Sequence, residues 1–316
     1  MSSAHPGPAA SVEEHAFRGE RAITARSGEL AATFVPGVGM TGVSLRYRGR
    51  EHLALPGGLD ALRAGHTAGL PLLAPWGNRL ASRRYRAAGV DVDLRGLRLG
   101  TDDNGLPIHG LLVGKAGWRV DGQKVRGGTA LLRASIDVDA RAFPFAHRIE
   151  LAIAAREGSL TIDTTLVPTG RRRVPVAFGW HPYLKVPGTV RSRWRLRLPA
   201  RTHLLLDERG IPTGETVAEP REAAPIARRT FDDLYELGRG HRFSYEGEDG
   251  AAVELHCGSG YPNAQVWVPK GRTFAALEPM TAPTNALERG ATRLVAPGDT
   301  FTARFELRLT GPGSSA

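Results

Sequence analysis

Four short segments set ionisable or amide side chains beside glycine and proline. They are Pro75-Trp76-Gly77-Asn78-Arg79, Asn104-Gly105-Leu106-Pro107-Ile108-His109-Gly110, Phe178-Gly179-Trp180-His181-Pro182-Tyr183 and Leu277-Glu278-Pro279-Met280-Thr281-Ala282-Pro283-Thr284-Asn285. In His181-Pro182 and Glu278-Pro279 the proline ring crowds the preceding residue out of the helical region. Both titratable side chains are therefore expected on extended chain, where a strand meets a turn. Loop rims carried by a rigid sheet are where binding and catalytic groups are usually mounted. Taken singly, each histidine reads as structural and Arg79 as an ordinary surface arginine. Together, one arginine, two histidines and one glutamate are the parts for acid–base work on a polar small molecule.

Other chemistries lack their residues. There is no Gly-x-Ser-x-Gly nucleophile turn and no His-Glu-x-x-His or paired-cysteine metal spacing. No Gly-x-Gly-x-x-Gly opens a helix after a strand, so neither a metal nor a nucleotide cofactor is expected. The one cysteine, Cys257, has no partner for a disulfide or redox pair and reads as a small core thiol.

The elements that must hold the four segments show period-two alternation. Phe301, Ala303, Phe305, Leu307 and Leu309 are interleaved with Thr302, Arg304, Glu306 and Arg308, which gives a strand one buried and one wet face. The same pattern runs through Val90–Leu94, Ile149–Ile153, Leu160–Thr164, Trp194–Leu198 and Val266–Val268. Turn residues such as Gly57-Gly58, Asp102-Asp103-Asn104-Gly105, Gly127-Gly128, Pro187-Gly188 and Pro297-Gly298 separate the runs. Only two stretches read as helix, Leu59–Ala64 and Phe231–Leu237. Many short strands with frequent turns imply an all-β sandwich or barrel. No linker, repeat or composition shift divides the 316 residues, so one domain is expected over residues 1–316, with frayed tails.

The formal net charge of +10 would suit a polyanion, but only four of the 42 basic residues are lysines and the arginines are scattered. No groove-reading motif organises them, and a nucleic-acid partner is not expected. The first residues carry no apolar signal core, and no apolar run is long enough to span a membrane, so a cytoplasmic location is the expectation.

In their order along the chain, Asn78-Arg79, Ile108-His109-Gly110, Gly179-Trp180-His181-Pro182-Tyr183 and Glu278-Pro279-Met280-Thr281-Ala282-Pro283-Thr284-Asn285-Ala286-Leu287 resemble the aldose 1-epimerase, or galactose mutarotase, family. The resemblance covers about residues 20–310, and the last segment is its most specific part. It implies a large antiparallel β-sandwich, the galactose mutarotase-like supersandwich, with few short helices and an open cleft for a sugar. It implies Glu278 as the base and His181 as the acid that open and reclose a pyranose ring, without metal or cofactor. It also implies sugar-binding roles for Arg79, His109 and Asn78, with Trp180 and Tyr183 as aromatic walls beside Trp76. Trp267, on an alternating strand, reads instead as core. At neutral pH the base is expected ionised and the acid protonated, each charge stabilising the other.

The family's sugar-binding aspartate has no unambiguous counterpart. Arg228 stands at its place if Phe231 aligns, and Asp232 or Asp233 is the substitute, although Asp232 reads equally as a helix N-terminal carboxylate. Beside free-aldose epimerisation stand three alternatives: a hexose 6-phosphate mutarotase using the arginine surplus, a sugar isomerase or lyase, and a non-catalytic carbohydrate-binding protein. The partner is a small sugar in each case, and the chain is expected to be a monomer or homodimer.

Overall fold

Each alternating run forms a strand in the computed structural model, which describes residues 9–313 apart from 239 and 240. Alternation survives because one face of each strand is buried and the other is wet. In Phe301–Thr310 the apolar side chains are buried at every second position, and Arg304 and Arg308 point to water.

Nine strands build the larger sheet. In spatial order they are Glu222–Pro225, Arg195–Leu198, Arg242–Glu246, Ala252–Cys257, Phe301–Thr310, Ser159–Pro168, Phe143–Arg156, Thr129–Ala140 and Arg119–Arg126. Eight strands build the sheet that faces it. Its path runs Pro212–Glu219, Arg201–Leu206, Phe231–Leu237, Asn263–Val268, Ala275–Met280, Gly179–Trp180 and Leu72–Leu73, and Tyr183–Leu184 pairs with Ala275–Met280 off that path. All pairings in both sheets are antiparallel. A five-stranded sheet, Ser11–Phe17 to Arg50–Glu51, packs beside them.

The sheets meet through large side chains. Trp180 lies 5.7 Å from Phe305, ring to ring, and its indole N–H donates to Thr164 Oγ1 at 3.0 Å. Tyr245 donates its hydroxyl to the Ala276 carbonyl across the same gap. One contiguous apolar core runs from Ile23 to Leu309 through all three sheets. Losing a ring such as that of Trp180 would cost about 3–5 kcal/mol.

Among the described residues the α-helices are two short ones, Gly58–Arg63 and Ala286–Arg289. The first matches the expected helix. Phe231–Leu237 is a strand instead, paired on one side with Arg201–Leu206 and on the other with Asn263–Val268. Hydrogen bonding on both edges outweighs a weak local preference for helix. No helix among the described residues is long and apolar enough to cross a membrane.

Candidate active site

Glu278 sits on Ala275–Met280, directly opposite Gln265 of the neighbouring strand. On the other edge of that strand Gly179 pairs with Met280, and two residues later comes His181. This approach requires Gly179 to lack a side chain. A Cβ there would overlap Met280 Sδ and stand 2.9 Å from the Pro279 carbonyl. The tight pairing brings His181 Nε2 to 3.4 Å from Glu278 Oε1, with side chains 6% and 1% exposed.

Burial governs the protonation of this pair. It raises the Glu278 carboxyl well above 4.5, helped by the nearby charge of Asp232 and opposed by Arg79. It lowers His181 to about 3. Low dielectric disfavours both charged forms, which favours the proton on the carboxyl over an ion pair. The sequence reading places an ionised base beside a protonated acid; burial of both groups, which a sequence does not reveal, favours their neutral forms instead. Glu278 Oε2 and His181 Nδ1 are buried with no hydrogen-bond partner among the described residues. Such groups are costly to leave unpaired and are ready for a polar ligand.

Arg79 and His109 approach from a second direction. Arg79 bridges to Ile108, and the His109 N–H donates to the Asn78 carbonyl at 3.0 Å. On the far side the Asn285 N–H donates to the Arg79 carbonyl, and Asn285 Oδ1 accepts the Ala81 N–H. The segment 78–81 is thus bracketed by two of the other motif segments. Asn78, His109 and Asn285 all take left-handed backbone conformations, which are uncommon for residues other than glycine and concentrate at functional sites. The Arg79 guanidinium donates from Nε to Asp102 Oδ2 at 2.7 Å and from Nη1 to Asn78 Oδ1 at 3.1 Å. Its Nη2 reaches Asp232 Oδ2 at 3.4 Å. Burial, with His181 and Arg79 nearby, holds His109 well below the usual histidine range.

The third wall is one face of the eight-stranded sheet. Asp232 lies opposite Trp267, and Gln265 opposite Glu278, so all four side chains share a face. Gln265 donates to Asp232 Oδ1 at 2.7 Å. Tyr183 stacks on His181 at 4.7 Å, and its hydroxyl pairs with Thr67 Oγ1. Trp267 meets His181 edge-on at 5.4 Å. The resulting cleft, about 290 Å³, is lined by Asn78, Arg79, His109, His181, Tyr183, Asp232 and Glu278 together with Thr67, Asp102 and Trp267.

Three expected residues do not reach it. Trp76 is buried in the core and does not line the cleft. Trp180 is fully buried against Phe305, because adjacent side chains on a strand point to opposite faces and His181 takes the cleft side. Asp233 points away from Asp232 for the same reason. It accepts the Tyr235 hydroxyl and stands 3.8 Å from His203 Nε2. The even choice between a helix end and a ligand position for Asp232 resolves to a strand position in the cleft. Trp267, read as core, is half-buried and lines the cleft. Asp102, Gln265 and Thr67 were missed. The only signal for Asp102 was its place in an Asp-Asp-Asn-Gly turn just before the His109 segment.

A larger concavity, about 850 Å³, lies on the outer face of the nine-stranded sheet. It is lined by exposed ion pairs such as Arg119–Asp137 and Arg148–Asp137. Exposed pairs of this kind are surface electrostatics rather than a constellation aimed at a ligand. Among the described residues no group of three or more histidine, cysteine or acidic side chains is arranged to hold a metal ion.

Comparison with known proteins agrees with this architecture. The family model for aldose 1-epimerase matches residues 22–308. YihR of Escherichia coli (strain K12), an uncharacterized protein, is 26% identical over 288 residues, which is 85% of this chain and 86% of that one. The crystal structure of a galactose mutarotase-like protein from Clostridium acetobutylicum superposes with a TM-score of 0.85 at 20% identity, covering 96% of this chain and 99% of the other. Galactose 1-epimerase from Lactobacillus acidophilus NCFM superposes with a TM-score of 0.77 at 12% identity, covering 95% and 98%. At these identities the superpositions show the shared fold.

Proposed function

From the premise that the chain belongs to the aldose 1-epimerase family, we propose that it interconverts the α and β anomers of an aldose, with Glu278 and His181 as its acid–base pair. The observation that carries this reading is the 3.4 Å contact between two buried titratable groups, each with a further unpartnered polar atom.

Anomerisation needs one base and one acid acting together. The base takes the proton of the anomeric hydroxyl as the C1–ring-oxygen bond breaks, and the acid protonates the ring oxygen. The open aldehyde turns about C1–C2, and the two groups exchange roles as the ring recloses. A pair that holds a single proton supplies both functions without any exchange with solvent. A hydrogen bond donated by the anomeric hydroxyl to Glu278 favours the carboxylate form and sends the shared proton to His181 Nε2. Glu278 then acts as base and His181 as acid. Each role contributes about 10²–10⁴-fold. Arg79, His109, Asn78 and Asp232 bind sugar hydroxyls, and Trp267 and Tyr183 offer ring faces to the apolar side of the pyranose.

An unphosphorylated aldose fits the electrostatics best. Four carboxyl groups, those of Asp102, Asp103, Asp232 and Glu278, line the cleft, while its arginine is already engaged by Asp102 and Asp232. A second reading, a hexose 6-phosphate, is favoured by Arg272, which is exposed and close enough for its charge to act on the Tyr183 hydroxyl at the edge of the cleft.

The test is anomer exchange followed by NMR with freshly dissolved α-glucose, α-galactose and glucose 6-phosphate. Acceleration of a free sugar supports the proposal. Acceleration of the phosphate alone selects the second reading. No acceleration of any aldose offered, with sugar binding unaffected by Glu278→Gln, would mean a carbohydrate-binding protein.

A further inference from the structure

We propose that Asp102 is a positioning residue that holds Arg79 and the 102–106 turn as a single sugar-facing unit; this rests on the proposed sugar-binding role of Arg79. Asp103, Asn104 and Gly105 around it are exposed, yet the Asp102 side chain is only 6% exposed. Its two oxygens do different work. Oδ1 accepts the N–H groups of Asn104 at 3.0 Å and Leu106 at 2.9 Å, which closes the turn. Oδ2 accepts Arg79 Nε at 2.7 Å.

Engaging Nε leaves the two terminal nitrogens of Arg79 facing the cleft, where they meet Asn78 and Asp232. A free arginine side chain samples many rotamers and would lose that freedom on binding a sugar. Clamping it from behind transfers that loss from binding to folding, which is preorganisation. The same carboxylate fixes the turn bearing Asp103 and Asn104, both of which line the cleft. The arginine and the turn therefore keep a constant spacing.

The division of labour between the two oxygens makes the clamp separable from the turn. Asp102→Asn keeps a carbonyl oxygen for the two backbone N–H groups, but its amide nitrogen cannot accept from Arg79 Nε. Steady-state anomerisation and thermal unfolding are measured for wild type, Asp102→Asn, Asp102→Ala and Asp102→Glu. The Asn variant is expected to lose less stability than the Ala variant, because it keeps the turn and gives up only the ion pair, while its KM rises about tenfold and kcat changes far less. Asp102→Ala loses stability as well, and Asp102→Glu recovers part of the KM. An unchanged KM in the Asn variant overturns the clamp, as does a loss of stability in it equal to that of the Ala variant. The Arg79 Nε–H resonance supplies a readout that needs no turnover: slowly exchanging in wild type, broadened in Asp102→Asn. If the wild type accelerates no sugar, the anomerase reading fails, and that resonance alone decides the clamp; a signal unmoved by the substitution overturns it.

Discussion

Glu278 Oε1 stands 3.4 Å from His181 Nε2, which directly follows the neighbouring strand Gly179–Trp180, and both side chains are almost wholly buried. Replacing Glu278 by Gln preserves the shape and removes the proton exchange. Anomer exchange should fall by about 10²–10⁴-fold, with KM little altered. A Glu278→Gln protein that retains wild-type kcat would remove Glu278 from the chemistry.

The pair also makes stability depend on pH in two opposed ways. Folded Glu278 titrates well above its unfolded value of 4.5. Its contribution is full below pH 4.5 and is lost as pH rises toward the folded value. Folded His181 titrates at about 3 against 6.5 unfolded. Its contribution is full above pH 6.5 and is lost as pH falls toward 3. Urea unfolding across this range should show Glu278→Gln gaining on the wild type as pH rises. His181→Gln should gain on it as pH falls below 6.5. Parallel curves for either variant would mean that its group is not held neutral.

Asp232 is the second cause of the raised Glu278 value, after burial. Asp232→Asn removes that negative charge and keeps a carbonyl oxygen for Gln265. The apparent pKa governing anomerisation should fall, because the neighbouring negative charge that raises it is gone, and KM should rise because Arg79 and the sugar lose a partner. A pH profile identical to that of the wild type would remove Asp232 as an electrostatic neighbour of Glu278.

Gly179 sets the distance between the strands that carry the pair. Gly179→Ala forces Met280 and the Pro279 carbonyl apart. A loss of about 1–3 kcal/mol in unfolding free energy is expected, together with a fall in kcat as His181 and Glu278 separate. Unchanged chemical denaturation would show that the strands yield without strain.

The strands and their alternation were legible because period two is written directly into runs such as Phe301–Leu309. The segments around His181 and Glu278 were legible because proline and glycine mark where extended chain turns. What alternation does not say is which face looks at the core and which at a cleft. Trp267 was assigned to the wrong one, and Trp180 was carried into the cleft by its neighbour His181. The same parity left Asp232 and Asp233 indistinguishable, since a slip of one residue exchanges the faces. Phe231–Leu237 was read as helix because its pairing partners are about 30 residues away on either side. Asp102 was invisible for a related reason: its partner, Arg79, lies 23 residues upstream and meets it only in the folded chain.

Glu278, Gln265, Trp267 and Asp232 stand on interior strands whose backbone bonds are shared on both edges. Local fraying begins at termini and exposed loops and reaches such strands last. The machinery therefore has no separate melting event of its own. On heating, any turnover and the folded sheet should disappear in one cooperative step, and a preparation that retains its β-sheet signal should retain the contact between Glu278 and His181.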